Sequence, residues 1–214
     1  MPANSASWRK TFGLPVLVLV FLILLAYGNT LHSSWHLDDL PNILVNKNVH
    51  ADTLDDPAWT YFFRPISETE PPAEKGIYRP VAMFTFAVNW LFSQDQVWGY
   101  HVVNIGIHCL AGLFLFLTIF YLLEAPNLHD KYNDKKVFIA FLGTALWALH
   151  PIQTQTVTYI VQRMAELAAL FYLAGLYFFI KGRLSAVRSR QIYFFSLCFL
   201  TFLLALGSKE NAIT

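Results

Sequence analysis

Charge and cysteine are both scarce in this 214-residue chain. Asp, Glu, Lys and Arg make up 14% of it, whereas hydrophobic residues make up 56% and the mean hydropathy is +0.44. Soluble domains carry about 25% charged residues, so the composition excludes an ordinary soluble protein and indicates an integral membrane protein. The two cysteines, Cys109 and Cys198, both fall inside predicted helices. We interpret them as small apolar packing residues rather than as a disulfide or metal pair.

Several motifs of other protein classes are also missing from the sequence. No Cys/His cluster has zinc-finger spacing, no Gly-rich phosphate loop occurs, and no helical repeat of about 34 residues is present. Nine of the 15 Lys and Arg residues lie before the first hydrophobic run or in short loops between runs, and the others are scattered singly. We therefore expect no nucleic-acid partner.

Five hydrophobic runs predict a single multi-pass, all-α membrane domain over residues 1–214. A membrane-spanning helix needs roughly 20 apolar residues, and the runs predict crossings at about 12–31, 100–123, 137–150, 157–180 and 191–207. The third run is short, and it can continue through His150-Pro151 as a broken helix whose freed backbone groups are buried in protein or line a cavity. The first run has a long apolar core without a small-x-small cleavage site, which favours an uncleaved anchor over a signal peptide.

The distribution of charge predicts the topology, because positively charged loops stay in the cytoplasm. With the N-terminus inside, the five crossings place nine basic and three acidic residues on the cytoplasmic side, and five basic and ten acidic residues on the other side. We therefore expect a multi-pass protein of the plasma membrane with a cytoplasmic N-terminus.

The long outer loop, residues 32–99, has two distinct parts. Its middle, residues 52–76, is rich in acids and Pro and is predicted to be irregular. Residues 78–92 are mostly apolar, with Pro80 at a plausible first helical position. This stretch is too short to cross lipid, so we predict an interfacial or re-entrant helix with Trp90 and Trp98 near the headgroups.

Two adjacent carboxylates, Asp38 and Asp39, follow the first crossing closely. Acidic residues at a membrane edge often have a function, and a positioned carboxylate can act as a general base. The pair could equally cap a short helix that begins at Leu40-Pro41, as Asp often does. Their spacing alone supports both interpretations.

Six short motifs occur in order along the chain. They are Trp35-x-x-Asp38-Asp39-x-x-Asn42-Ile43, Tyr78-Arg79-Pro80, Gly99-Tyr100-His101-x-x-Asn104-x-x-x-His108, His150-Pro151-x-Gln153-Thr154-Gln155-x-Val157, Ile160-Val161-Gln162-Arg163-Met164 and Ser208-Lys209-Glu210-Asn211. Together they resemble the N-terminal half of the bacterial membrane glycosyltransferases of the GT-C fold. More narrowly, they resemble the transmembrane and tetratricopeptide-repeat O-mannosyltransferases, the TMTC family.

This resemblance implies a partial GT-C architecture in a bacterial inner membrane, without the family's C-terminal helices and tetratricopeptide-repeat domain. It implies an enzyme that transfers a sugar from a polyprenyl-phosphate donor to a protein or glycan hydroxyl outside the cytoplasm. An acid of the first outer loop would act as the general base, with Asp38 as that base and Asp39 orienting the acceptor. Whether this chain is active alone is left open by the resemblance.

The leaving phosphate needs positive charge, and Arg163 is the leading candidate. A guanidinium inside a hydrophobic helix needs a cavity or a partner, and its fork suits phosphate oxygens. The alternative is an intrahelical pair with Glu166 at i+3. Arg79 and Lys209 are second choices, with snorkelling to water as the alternative, and His150 is a further candidate.

Four other residues complete the predicted site lining: Glu166, Gln153, Gln155 and Glu210. Animal members of the resembled family tend to read His-Pro-x-His-Thr-Glu where this chain has Gln153 and Gln155. The resemblance therefore carries no acid or base role to those two positions.

A metal site is conceivable from Asp38, Asp39 and Glu210, since carboxylates suit divalent cations, but the spacing does not require one. We expect no metal and no cofactor besides the polyprenyl-phosphate sugar, which is the donor substrate. Membrane lipids and a protein or glycan acceptor are the other expected partners. The competing interpretations are a non-catalytic membrane scaffold whose outer loop binds a partner, and a transporter that uses Arg163 and Glu166.

Overall fold

A computed structural model describes residues 12–61 and 79–213, and these residues are mainly helical without any strand. They form nine α-helices: α1 Leu14–Tyr27, α2 Ala58–Tyr61, α3 Pro80–Ser93, α4 Val97–Leu122, α5 Pro126–Tyr132, α6 Lys136–Ala148, α7 Gln153–Thr158, α8 Arg163–Leu184 and α9 Arg188–Leu206. Short 3₁₀ turns lie at Gly28–His32, Lys47–Val49, Ile160–Gln162 and Glu210–Ile213, and a π-helical turn lies at Leu40–Leu44. The all-α prediction is confirmed.

Four helical segments are long and apolar enough to cross a membrane. They are Leu14–His32, Val97–Leu122, Ile160–Leu184 and Arg188–Leu206. Helix α6 has 13 residues, about 20 Å at 1.5 Å per residue, which is less than the roughly 30 Å hydrocarbon core. The predicted third crossing is therefore not one continuous helix, because the chain leaves α6 at Ala148 and resumes helical structure at Gln153. This is the break that the sequence predicted around His150-Pro151.

Helix α8 lies at the centre of the packing. It contacts both α4 and α9, while α4 also packs against α6 and α1. A Cβ added at Gly182 of α8 would lie 2.8 Å from the Phe195 ring of α9, so this glycine permits the close approach of the two helices. Helix α9 buries only Thr201 and Ala205, which leaves most of its apolar surface free to face lipid.

Helix α3 confirms the helix predicted within residues 78–92. Pro80 is its first residue, where the missing N–H of proline has no effect on the helix. The Val81 amide donates to the Gly207 carbonyl at 2.9 Å, which ties the start of α3 to the end of α9. Trp90 stacks on His50 with 3.5 Å between ring centroids. The predicted irregular stretch 52–76 extends beyond the described residues from position 62 onward, and its described beginning contains turns and α2.

Polar contacts gather at the two ends of the helix bundle. Asp39 bonds to the turn before α8, and Arg79 bonds to the turn after α9, so both lie at one end. At the other end, Lys136 pairs with Glu124, and the Lys181 ammonium lies 3.9 Å from the centre of the Tyr121 ring. The structure thus separates the two groups of loops that the charge distribution assigned to opposite sides.

Candidate active site

Arg163 is completely buried between α3, α4 and α8. Its exposed fraction is 0%. The guanidinium donates to the side-chain oxygens of Asn104 and Asn89 at 2.7 Å each, and to the carbonyls of Tyr100 and Thr85 at 3.1 and 3.3 Å. These four hydrogen bonds offset the free-energy cost of burying the charged guanidinium. Arg163, the leading candidate for binding the phosphate, is therefore hydrogen-bonded to protein groups, and its guanidinium is not exposed at the surface.

Glu166 forms no ion pair with Arg163, although it lies three residues further along the same helix. Its Oε1 is 3.0 Å from Nδ1 of His108 on α4, and both side chains are buried. His108 Nε2 is 2.9 Å from the Ala148 carbonyl. Because a carbonyl only accepts, Nε2 carries a proton and Nδ1 faces Glu166. The intrahelical pair is therefore not formed, and the Glu166 side chain is buried, with an exposed fraction of 1%.

Buried polar side chains hydrogen-bond to the backbone carbonyls where the chain is not helical between α6 and α8. The Ala148 carbonyl accepts from Tyr27 Oη at 2.9 Å as well as from His108. Asn104 Nδ2 donates to the carbonyls of Val157 and Ile160 at 3.4 Å each. Backbone groups freed at a helix end must find partners in a membrane protein. Asn104 and His108, two motif residues of α4, therefore stabilise this break in the chain.

Asp39 ties the outer loop to this break. Its exposed fraction is 0%, Oδ1 accepts from the Val161 amide at 2.7 Å, and Oδ2 accepts from the His36 amide at 2.9 Å. Burial raises its pKa, although the two amide bonds act in the opposite direction. The carboxylate makes no capping bond to the turn Leu40–Leu44. The predicted contact of Asp39 with an acceptor is thus replaced by a structural role.

Asp38, by contrast, lies exposed on a strained turn. Leu37 just before it has φ 34°, and its side chain is 81% exposed. A non-glycine residue in this region of φ is uncommon and is often found near functional sites. The Asp38 amide donates to Tyr159 Oη at 2.9 Å, and its carbonyl accepts from Asn42 Nδ2 at 2.8 Å. Main-chain bonds on both sides therefore hold Asp38 in place while its carboxylate remains accessible.

An open cleft of about 320 Å³ is lined by Leu37, which precedes Asp38, and by Tyr159, whose hydroxyl accepts from the Asp38 amide, although Asp38 itself is not a lining residue. We call it the Asp38 cleft. It is lined by His36, Leu37, Thr154, Gln155, Thr158 and Tyr159. Desolvation, and the nearby Asp38 and Asp39 carboxylates, raise the pKa of Tyr159. Sequence reasoning identified Gln155 but missed Thr154, Thr158 and Tyr159, because hydroxyl side chains in a polar turn carry no distinctive pattern.

Two other predicted residues lie near the turn that begins α7. His150 is exposed, and its Nδ1 accepts from the Ile152 amide at 3.2 Å. Gln153 is the first residue of α7 and is not among the residues that line the Asp38 cleft. The structure therefore brings Gln155, but not Gln153, to the cleft.

Arg79 and Glu210 form a bidentate ion pair. Arg79 Nε and Nη2 lie 2.8 and 2.6 Å from the two oxygens of Glu210, and Nη1 lies 2.9 Å from Met164 Sδ. The pair lowers the pKa of Glu210 to about 2. Lys209 lines a separate cavity and, among the described residues, has no ion pair or hydrogen bond through its ammonium. Of the three predicted cations, Lys209 is the one left available for a phosphate.

The residues considered for a metal are not brought together. Asp39 binds two backbone amides and Glu210 binds Arg79, while Asp38 lies at the cleft. Within residues 12–61 and 79–213, no group of three His, Cys, Asp or Glu side chains has a metal-binding arrangement.

Known proteins with similar sequences provide independent information. No protein-family model matches the chain, and no solved structure matches it. A protein O-mannosyl-transferase of Caenorhabditis elegans is 33% identical over 173 residues, which is 78% of this chain and 23% of that protein. Protein O-mannosyl-transferase TMTC3 of Homo sapiens is 30% identical over 203 residues, 93% of this chain and 20% of that protein. TMTC4 of Mus musculus is 32% identical over 162 residues, 73% of this chain and 22% of that protein.

The chain thus spans about a fifth of the length of the curated relatives that it matches. The similarity nevertheless extends over most of the chain itself, including 93% of it against the human protein. The GT-C architecture and a bacterial source remain predictions. This membrane protein is a homologue of the TMTC-family protein O-mannosyl-transferases.

Proposed function

We propose that this chain carries the general-base side of a glycosyltransferase active site. The enzyme would transfer a sugar from a polyprenyl-phosphate donor to a protein or glycan hydroxyl on the extracytoplasmic face of a plasma membrane. The observation that carries the proposal is the placement of Asp38, an exposed residue held by main-chain bonds, whose neighbour Leu37 and whose partner Tyr159 line a cleft. The curated relatives are protein O-mannosyl-transferases, which supports sugar transfer to a hydroxyl.

In the proposed reaction, the acceptor hydroxyl lies in the Asp38 cleft with its proton directed at the Asp38 carboxylate. Its oxygen attacks the anomeric carbon of the sugar, and Asp38 takes the proton as the new C–O bond forms. The bond between the sugar and the phosphate oxygen breaks, and polyprenyl phosphate leaves with the electron pair. General-base assistance of this kind contributes about 10²- to 10⁴-fold to the rate.

The negative charge that develops on the leaving phosphate needs a cation nearby. Arg163 is buried and Arg79 is held by Glu210, so Lys209 is the side chain in our proposal that stabilises the phosphate. A lysine ammonium acts here as a point charge rather than as a fork.

The proposed side of the membrane rests on charge. Asp38 and the Arg79–Glu210 pair lie at the same end of the bundle. The other end carries Lys136 and Lys181. Positively charged loops stay in the cytoplasm, which supports an extracytoplasmic Asp38.

An Asp38→Asn substitution tests the proposal in membranes that contain the protein. We expect transfer from a polyprenyl-phosphate sugar to a hydroxyl-bearing acceptor to fall by about 10²-fold or more, with unchanged membrane insertion. Asp55→Asn, at another exposed acid of the same loop, is the matched control and should retain the wild-type rate. Full activity of Asp38→Asn would contradict the proposal and favour a non-catalytic scaffold.

A further inference from the structure

Leu37 combines a strained backbone with an exposed apolar side chain. Its φ is 34°, and its side chain is 81% exposed. At such a φ the Cβ of a leucine crowds the main chain, whereas glycine or asparagine adopts the same conformation more easily. An apolar side chain therefore lies at a position where both its backbone conformation and its exposure to solvent are unfavourable. Local strain of this kind often accompanies a functional contact.

The turn that carries Leu37 is anchored on both sides. Before it, Trp35 Nε1 donates to the Asp95 carbonyl at 3.3 Å. After it, the Asp39 carboxylate accepts from the Val161 amide at 2.7 Å. The exposure of Leu37 is thus imposed by an anchored turn rather than by a loose loop. A side chain presented in this way loses little conformational freedom when it binds another molecule.

Leu37 is an apolar part of the wall of the Asp38 cleft. Helix α7 contributes Thr154, Gln155 and Thr158 to the same cleft. Among the described residues, those that line the cleft include no Asp, Glu, Lys or Arg. The cleft therefore combines neutral hydrogen-bonding groups with one exposed leucine, and this combination is complementary to an uncharged ligand that is partly apolar.

A polypeptide matches this lining better than a glycan does. A serine or threonine supplies the hydroxyl, and the residue next to it can supply an apolar side chain that covers Leu37, which is favourable because apolar surface leaves water. A glycan presents hydroxyl groups on most of its edges, and a leucine side chain forms no hydrogen bond with them. The lining thus favours a peptide with an apolar residue beside the hydroxyl.

We propose that Leu37 determines the specificity for the acceptor: the Asp38 cleft binds a polypeptide segment in which an apolar side chain lies next to the serine or threonine, and this side chain packs against Leu37. The inference rests on the proposed function, since the hydroxyl is the one from which Asp38 takes the proton. It narrows the acceptor from a protein or glycan hydroxyl to one class of peptide.

The order of Leu37 and Asp38 along the chain suits this arrangement. Consecutive Cα atoms are about 3.8 Å apart in any trans polypeptide, in the acceptor as in the protein. A peptide residue that packs against Leu37 therefore brings the next residue of the peptide close to Asp38. Leu37 is thus a specificity residue, whereas Asp38 performs the chemistry.

Peptide binding tests the inference without any transfer of sugar. Two short fluorescent peptides differ only in carrying leucine or asparagine on both sides of a central threonine. Fluorescence anisotropy measures their binding to the full chain in detergent micelles, with binding to empty micelles subtracted. We expect the wild type to bind the leucine-flanked peptide about three- to tenfold more tightly, as for the partial burial of apolar side chains on an open surface.

Variants of Leu37 assign this preference to the side chain. Leu37→Asn should abolish it, and Leu37→Met should retain it. Leu54→Asn, at a leucine of the same loop that is 80% exposed and does not line the cleft, is the matched control and should bind both peptides as the wild type does. Leu37→Gly should also abolish the preference without loss of folding stability, because glycine relieves the strain at φ 34°.

Three results would overturn the inference. One is equal affinity of the wild type for the two peptides. Another is a wild-type preference in Leu37→Asn or Leu37→Gly, which would assign Leu37 to contact with lipid at the membrane surface. The third is an equal loss of preference in Leu54→Asn, which would indicate general adsorption of apolar peptides to the loop.

The same measurements distinguish this inference from the proposed chemistry. Binding requires no transfer, so Asp38→Asn should keep the preference for the leucine-flanked peptide. Loss of transfer in Asp38→Asn, together with no peptide preference in the wild type, would contradict the inference on Leu37 alone. Full transfer by Asp38→Asn with an intact preference would contradict the role of Asp38 alone.

Discussion

The Asp39 carboxylate accepts a hydrogen bond from the Val161 backbone amide at 2.7 Å, across 122 positions of sequence. This bond joins the first outer loop to the turn that precedes α8. The neighbouring Asp38 amide reaches Tyr159 in the same region. The two adjacent acids therefore have different environments. The Asp39 carboxylate is hydrogen-bonded in holding the loop, whereas Asp38 is exposed beside the cleft.

The first prediction separates these two acids by their effect on stability. Asp39→Asn replaces one acceptor oxygen by an amide donor, which then faces the Val161 or His36 amide. We expect the free energy of unfolding to fall by about 1–3 kcal/mol, as for other buried groups left without a partner. Reversible unfolding in mixed detergent micelles measures this loss, and Asp38→Asn should change it by less than about 0.5 kcal/mol. Equal loss in the two variants would contradict the division of roles.

The second prediction concerns Arg163, whose guanidinium binds Asn104, Asn89 and two carbonyls. Arg163→Lys keeps the charge but cannot reproduce the fork. Because at least one buried acceptor loses its donor, we expect a destabilisation of about 2–4 kcal/mol, measured by the same unfolding assay. Arg190→Lys, at an exposed position of α9, is the control. A tolerated Arg163→Lys together with impaired donor binding would instead restore Arg163 as a phosphate ligand.

The long helices were predictable from sequence, whereas the partners of the buried polar residues were not. Length and apolarity alone identify Leu14–His32, Val97–Leu122 and the two last crossings, because lipid imposes a minimum helix length. The break after α6 was indicated by a proline in a short run. For Arg163, however, the local candidate was Glu166 at i+3, whereas the true partner Asn104 lies 59 positions away. Local spacing cannot reveal which distant side chain completes a hydrogen-bond network.

The candidate site shows the same limit. Asp38 was identified because two acids at a membrane edge are unusual, and Gln155 because it belongs to a motif that resembles the TMTC family. Tyr159 was missed, since its importance depends on the fold of α7 and the following turn, which bring its hydroxyl to 2.9 Å from the Asp38 amide. Arg79 and Lys209 looked equivalent in sequence and are distinguished only by the position of Glu210.

The third prediction addresses the buried contact between His108 and Glu166, 3.0 Å apart. The Ala148 carbonyl holds a proton on His108 Nε2, so Nδ1 needs a partner. Glu166→Gln supplies an amide N–H to Nδ1, and we expect a change in unfolding free energy within about 1 kcal/mol. Glu166→Leu leaves Nδ1 unpaired and should be destabilising by about 1–3 kcal/mol. If Gln is as damaging as Leu, the pair is an ion pair that requires the negative charge.

The fourth prediction is the pH dependence of the Arg79–Glu210 pair. The folded pKa of Glu210, about 2, lies below its ordinary value of 4.5. The pair therefore contributes stability above the unfolded pKa and loses it as the pH falls toward 2. We expect Glu210→Gln to reduce stability equally at pH 5.5 and 8, by about 1 kcal/mol or less because Glu210 is exposed. The difference from the wild type should disappear only in strong acid, and a difference that vanishes near pH 6 would contradict the assignment.

The fifth prediction concerns Tyr159, which links the wall of the Asp38 cleft to the main chain of Asp38. Tyr159→Phe retains the ring and removes the hydroxyl that accepts from the Asp38 amide. One neutral hydrogen bond contributes about 0.5–1.5 kcal/mol. If that energy serves to hold the base in position, the turnover rate should fall about two- to tenfold with a much smaller change in donor KM. Tyr193→Phe, at an exposed position of α9, is the matched control and should leave turnover unchanged. A raised donor KM with normal turnover in Tyr159→Phe would instead indicate that the hydroxyl binds the donor, and would contradict its role in positioning Asp38.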